Sequence, residues 1–386
     1  MKTLITIAAI LLGSIASVAQ TKDNDLKISI LTCAHGEEIY AAFGHCAFRA
    51  SSQSRHFDKV YNYGTFNYNQ PFFVLKFVRG FLDYAVSSYD YKLFRYEYVR
   101  EKRKVKEQVL NLSPEQAQAV YDFLEWNSMP ENRNYKYNFL EDNCATRIRD
   151  VLTNACSPDI QYPDTTYAFT LRDAIDERIE DMPWFRFGIT LLMGLPVDKK
   201  ATAMTAMFLP DYVHSTIADT KIVRDGALEP IVKDSSVVVA ADKPVSHVDF
   251  LTYCSPALLL WILLLAWGWA TYKEIKNHTY HAAPDKVLLF IVGLFGILFV
   301  VMWFFTEHTV TANNLNIIWA IPLHAIAAWM VKSKSTLWKT YYKVTAITTA
   351  AMLVCAPIVP QHYDPAFYPL LAIITMRLAR IGWRNE

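Results

Sequence analysis

The segment Tyr137-Asn138-Phe139-Leu140-Glu141-Asp142-Asn143-Cys144-Ala145-Thr146 sets a cysteine directly behind two helix-capping residue types, Asp142 and Asn143. Ile148, Val151, Leu152 and Ala155 recur behind it at helical spacing, so a helix is predicted to start at Cys144 with the thiol heading its buried face. A thiol there meets free N–H groups and the positive end of the helix, which lower its pKa from about 8.5 and can bind an oxyanion. That makes Cys144 a candidate nucleophile; the competing role is that of a small buried hydrophobe.

A nucleophilic cysteine needs a base. Phe43-Gly44-His45-Cys46-Ala47-Phe48-Arg49 offers His45 at the start of an apolar strand. Cys46 is a rival nucleophile, but neighbours on a strand point to opposite faces, so it cannot easily partner His45. The following strand, Val60-Tyr61-Asn62-Tyr63-Gly64, supplies Asn62 to orient the imidazole, with Tyr63 beside it. Glu38 and Tyr40, between Gly36 and Gly44, are further pocket candidates with Asn143, against ordinary roles in loop capping and packing. Cys33, His35, His45, Cys46 and His56 contain neither Cys-x-x-Cys nor His-x-x-x-His spacing, so no metal centre and no other cofactor is expected.

The elements that must position these residues read as strand-rich first and helix-rich later. Strands are predicted at 26–33, 45–50, 59–63, 81–87 and 92–99, and a helix begins at Ser113-Pro114-Glu115 with a Ser cap, Pro in the first turn and an apolar face through Val120, Leu124 and Trp126. Helical signals continue to about residue 220, and a hairpin closes around Asp225 and Gly226. This order predicts an α+β domain.

With 53% apolar and 19% charged residues among 386, part of the chain is expected to lie in lipid, and a net charge of +1 argues against nucleic acid as a partner. Residues 1–19 carry Lys2, an apolar run and small residues before Gln20, the pattern of a secretory signal peptide. Apolar runs at 251–272, 287–305, 315–331, 344–359 and 366–378 approach the roughly 20 residues that span a bilayer. Lysines and arginines follow the first, third and fifth runs, while loops 306–314 and 360–365 have none. By the positive-inside rule these are about five spans behind a periplasmic domain at 20–248, in a bacterial inner membrane, with residues 249–386 ending in the cytoplasm whether the last pair, short and Pro-broken, crosses fully or is re-entrant. His308, with Glu307, Asn313, Asn314 and Asn316, then lies on the same side as Cys144 and joins the pocket candidates. Segment 70–81 collects Phe72, Phe73, Val74, Leu75, Phe77 and Val78 with Lys76 and Arg79, which suits either a membrane interface or a core element. Of the six cysteines, Cys33 and Cys46 could form a disulfide in the exported domain.

The order of histidine on a strand and cysteine later at a helix start resembles the circularly permuted papain-like (NlpC/P60-type) superfamily. More closely, Gly36-Glu37-Glu38-Ile39-Tyr40, Phe43-Gly44-His45, Tyr61-Asn62-Tyr63-Gly64-Thr65-Phe66, Asn143-Cys144-Ala145-Thr146-Arg147 and Phe208-Leu209-Pro210-Asp211-Tyr212 resemble the periplasmic domain of the Lnb lipoprotein N-acyltransferases of the Bacteroidota. Thr306-Glu307-His308 and Asn313-Asn314-Leu315-Asn316 extend the resemblance into the membrane half. The resemblance implies an enzyme that moves a fatty acyl chain from a phospholipid donor to the α-amino group of a diacylated lipoprotein acceptor, with His45 and Cys144 as its catalytic pair. The residues alone leave two other readings open: a membrane-anchored cysteine hydrolase acting on cell-wall peptide or lipid, and an inactive binding or sensor module.

Overall fold

The computed structural model describes residues 25–67, 69, 71–81, 83–241 and 250–384, without the side chains of Phe73, Val74, Phe77 and Leu251. The expected signal peptide, residues 1–19, and the expected domain boundary at 248–249 lie outside the described residues.

The first half alternates strands and helices: β1 (Lys27–Cys33), β2 (His45–Ser52), β3 (Phe57–Thr65), α1 (Phe73–Arg79), β4 (Asp83–Asp90), α2 (Tyr91–Arg100), β5 (Val105–Leu110), α3 (Pro114–Ser128), β6 (Asn134–Lys136) and α4 (Cys144–Cys156). Helices α5 (Leu171–Arg178), α6 (Pro183–Leu192) and α7 (Pro210–Asp219) follow, then a hairpin of β7 (Lys221–Arg224) and β8 (Ala227–Pro230), and finally β9 (Val232–Val239). An antiparallel seven-stranded sheet runs in the order β9-β5-β1-β2-β3-β4-β6. Because side chains alternate along a strand, β2 and β3 feed two cores. Cys46, Phe48, Tyr61 and Tyr63 pack with residues of α3 and α4 on one face. Ala47 and Val60 pack with Tyr91, Phe94 and Tyr98 of α2 on the other.

Three expectations change. Segment 92–99 is helix, not strand: Phe94, Tyr96 and Tyr98 mimic strand alternation, but the Asp90 side chain accepts the Lys92 N–H as an N-cap, and the buried set is Tyr91, Phe94 and Tyr98, while Tyr96 is exposed. Cys33 and Cys46 are both free and sit in the cores of opposite sheet faces, so they form no bridge. Segment 315–331 is not one helix but the short turns Leu315–Ile318, His324–Ala327 and Ala328–Met330. Pro322, within it, has no N–H to continue a helix, and Asn314 and Asn316 bond outside it.

The C-terminal half is helical: α8 (Pro256–Lys276), α9 (Ala282–Phe304), α10 (Thr336–Cys355) and α11 (Phe367–Gly382). Among the described residues, α8 and α9 are long and apolar enough to cross a membrane. Buried Arg377 of α11 bonds Asp285 of α9 at 2.6 and 2.9 Å and Glu274 of α8 at 3.0 Å, pinning three helices with paired charge.

The two halves meet where α6 ends. Its last carbonyls lack intrahelical partners, and the side-chain amides of Asn314 and Asn316 supply them: Asn314 Nδ2 donates to Leu191 O at 2.8 Å and Leu192 O at 3.1 Å, and Asn316 Nδ2 to Leu191 O at 3.0 Å. The Gly194 N–H donates to Val310 O at 2.9 Å, and a Cβ at Gly194 would stand 1.9 Å from Ala312 O. Gly194→Ala therefore forces two backbones apart, an overpacking of about 1–3 kcal/mol. It should lower the melting temperature of the detergent-solubilised protein and expose the junction to protease. Gly188→Ala, within α6 where a Cβ meets nothing within 4 Å, should melt at or slightly above the wild-type temperature, because alanine favours the helix.

Candidate active site

Asn143 sets the site. Its Oδ1 accepts the N–H groups of Ala145 and Thr146 at 2.8 and 2.9 Å, and the Asn143 N–H in turn donates to the Thr146 hydroxyl at 2.8 Å, a reciprocal capping box. Its Nδ2 donates to Phe139 O and Phe208 O at 2.7 and 2.9 Å. Asn143 is thus the clamp that places Cys144 and not a pocket wall. The preceding loop is closed by Asn138, which exchanges backbone bonds with Asp142 at 2.9 and 3.0 Å and accepts the N–H groups of Leu140 and Glu141.

The Cys144 sulfur faces the backbone N–H of Cys46, the peptide next to His45, together with the N–H groups of Cys144 and Ala145. These N–H groups favour the thiolate, as the helix-terminus argument expects, but burial outweighs them and the thiol pKa lies above its ordinary value. That corrects the expectation of a lowered pKa. Burial also pushes the His45 imidazole down to about 4, with the hydrogen bond to Asn62 opposing and the Arg103 guanidinium adding to the shift. At neutral pH both groups are uncharged.

His45 Nε2 lies 3.1 Å from Asn62 Oδ1. An amide oxygen only accepts, so Nε2 carries the proton and Nδ1 holds the free lone pair. Asn62 is paired two residues along β2, opposite Ala47, which places it on the same sheet face as His45. Cys46 points to the other face: its sulfur lies 3.9 Å from Pro210 O in the core beneath α4, and burial and nearby thiols hold its pKa well above the ordinary value. Cys46 does face away from His45, but toward the helix that bears Cys144. His45 and Cys144 lie on opposite faces of the sheet at the end of β2, where the Cys46 N–H beside the sulfur is the link between them, and no hydrogen bond joins the two side chains among the described residues.

The other candidates separate. Tyr63 is buried and donates to Asn127 Oδ1 at 2.8 Å, a core role. Glu38 is exposed and immediately precedes the turn Ile39–Ala41. Tyr40 is exposed and its ring meets Phe66 edge-on at 6.5 Å. Phe66 leads through Tyr84 at 5.2 Å to Tyr137, stacked on Tyr84 at 4.4 Å, so an aromatic wall runs from Tyr40 to the loop before Cys144. His308, half-buried, precedes the turn Thr309–Thr311, and Asn138 Nδ2 donates to Thr309 Oγ1 at 3.1 Å. The membrane half thus touches the loop that delivers the thiol. Asn138 was not among the candidates; the Asn-x-x-x-Asp run before an N-cap is the turn signal that could have marked it. Among the described residues, no group of three or more His, Cys, Asp or Glu is arranged to hold a metal ion.

Fold and site together define a chain whose sheet-rich domain holds a helix-head thiol and packs on a helical half with two helices long and apolar enough to cross a membrane among the described residues. Residues 16–177 match the family model of the Lnb N-terminal periplasmic domain, and residues 248–385 match that of the Lnb transmembrane domain. The chain belongs to the Lnb family. No curated protein and no solved structure matches it.

The neutral resting pair has a measurable signature. Alkylation of Cys144 by iodoacetamide, read by peptide mass spectrometry, should be slow at pH 7 and climb steadily to pH 9, because thiolate forms only as pH approaches the raised pKa. A rate that is already level from pH 6 would mean a thiolate–imidazolium pair and would contradict the neutral assignment.

Proposed function

We propose that this protein is a lipoprotein N-acyltransferase that moves a fatty acyl chain from a membrane phospholipid, through a thioester on Cys144, to the α-amino group of a diacylglyceryl-cysteine lipoprotein. The observation that carries this reading is the Asn138–Thr309 contact, which ties the loop bearing a helix-head thiol to the membrane half. A hydrolase of cell-wall peptide would need a tether, not a site held against the bilayer surface. In this reading residues 20–248 are a permuted papain-like catalytic domain in the periplasm. Residues 249–386 cross the inner membrane five times, the third crossing by the broken segment 315–331, and end in the cytoplasm.

His45 Nδ1 takes the Cys144 proton as donor lipid binds, the two side chains being brought within reach of each other when substrate fills the site. The sulfur adds to the ester carbonyl, the C–O bond breaks, and the His45 proton goes to the departing lysophospholipid alkoxide. The acceptor amine then adds to the thioester carbonyl. A C–N bond forms, the C–S bond breaks, and the amine proton returns through His45 to the sulfur. Asn62 holds the ring in the tautomer this needs.

Donor lipid enters beside α1. Its Arg79 carbonyl accepts the Glu307 N–H at 3.0 Å, only three residues past the end of α9, and Phe72, Leu75 and Val78 are exposed there. An exposed apolar set at the level where a membrane helix ends suits the headgroup boundary. Phe72→Asp and Leu75→Asp should each cut lipoprotein acylation in vesicles several-fold while leaving the melting temperature unchanged. Unfolding of both variants would assign α1 to the core.

The central test mixes enzyme with phospholipid and no acceptor. A hydroxylamine-sensitive acyl group should accumulate on Cys144, decay slowly in water and transfer when a diacylated lipopeptide is added. Rapid donor turnover without acceptor would mark a hydrolase. Cys144→Ser and His45→Ala should lose nearly all transfer, whereas Cys46→Ala should keep most of it. An active Cys144→Ala sinks the proposal.

A further inference from the structure

We infer that Tyr135 supplies the side-chain hydrogen bond that receives the oxyanion formed when Cys144 attacks its acyl donor. This rests on the thioester reading above and adds a residue to it.

The Tyr135 hydroxyl is fully buried, yet among the described residues it has no hydrogen-bond partner. A buried hydroxyl left unpaired is costly, and such groups call for an explanation such as an absent ligand atom. Its location supplies one. A Cβ built on Gly64 would lie 3.7 Å from Cys144 Cβ and 4.0 Å from the Tyr135 hydroxyl oxygen, so both groups border the same small space that Gly64 leaves open. Gly64 has φ +92°, a conformation that side chains rarely adopt.

The phenol is held in place from three sides. Tyr135 pairs with Tyr84 across β4 and β6, its ring meets Tyr63 edge-on at 6.1 Å, and the Arg147 guanidinium lies 4.4 Å from its centre. Arg147 is fixed in turn by Asp142, with one bond at 2.7 Å. The hydroxyl therefore cannot swing away to find water without breaking that stack. Burial keeps the phenol protonated, as a donor must be, while the Arg147 guanidinium pulls in the opposite direction.

The helix itself leaves room for such a donor. Two of the first N–H groups of α4, those of Ala145 and Thr146, are already bonded to Asn143. The Cys144 N–H, at the first helical position, has no intrahelical acceptor and remains a main-chain donor of α4, beside the Cys46 N–H from β2. An oxyanion has capacity for more than one donor, and a second one fixed before the reaction is worth most where water is excluded.

The test is Tyr135→Phe, which keeps the ring and deletes only the hydroxyl. Thioester formation on Cys144 from phospholipid should slow about 10²-fold, the usual effect of losing one oxyanion donor. Alkylation of Cys144 by iodoacetamide passes through no oxyanion and should proceed at the wild-type rate, and the melting temperature should hold or rise. A wild-type rate of thioester formation overturns the inference. So does a parallel fall in acylation, alkylation and melting temperature, which would make Tyr135 a packing residue. If wild-type enzyme forms no thioester while Cys144→Ala still transfers acyl groups, it is the thioester reading that has failed.

Discussion

Asn143 accepts two helix N–H groups through one side-chain atom and donates to two carbonyls through the other, so every hydrogen-bonding position of its amide is used. One of those carbonyls belongs to Phe139, in the loop before α4, and the other to Phe208, just before α7. A single buried side chain therefore fixes where α4 starts, how the loop approaches it and how α7 lies beside it. The position of the Cys144 sulfur against β2 follows. Replacing Asn143 by alanine would leave the same N–H and C=O groups buried and unpaired, a far larger disturbance than the loss of an ordinary surface cap.

The electrostatics of the site run against the simplest expectation for a cysteine at a helix head. The N–H groups of Cys46, Cys144 and Ala145 do favour the anion, but the sulfur is enclosed enough that desolvation wins. The same enclosure holds His45 near pKa 4. A neutral thiol beside a neutral imidazole is less reactive toward stray electrophiles than an ion pair. In the proposed acyl transfer, charge separation would then come with substrate binding, when bound lipid displaces the remaining water and every local dipole acts more strongly.

Much of this was legible from residue type and spacing. The caps at Asn143 and Ser113 and the hairpin at Asp225-Gly226 are local features, and local hydrogen bonding decides them. The pairing of His45 with Asn62 followed from placing adjacent strands side by side. What failed depended on tertiary context. Segment 92–99 has an aromatic pattern compatible with both periods, and the Asp90 cap decided for helix. The sign of the Cys144 pKa shift depends on how much protein surrounds the sulfur, which no local run encodes. Asn314 and Asn316 read as loop polarity, but their partners are carbonyls more than a hundred residues earlier.

Those two asparagines connect the fold to its function in a specific way. Each amide of 314 and 316 satisfies carbonyls that α6 leaves open at its end, so the periplasmic domain is finished by atoms of the membrane half. Val310 and Thr309, a few residues earlier in the same loop, bond Gly194 and Asn138. One short stretch of the membrane domain thus reaches both the end of α6 and the turn that precedes the thiol. In the proposed reaction a flexible tether would let the site tumble above the bilayer and meet lipid esters rarely. Under the proposed acyl transfer, rigid attachment would hold the thiol at one height and one angle, and a site of fixed height can meet an ester bond that itself lies at a fixed depth below the headgroups.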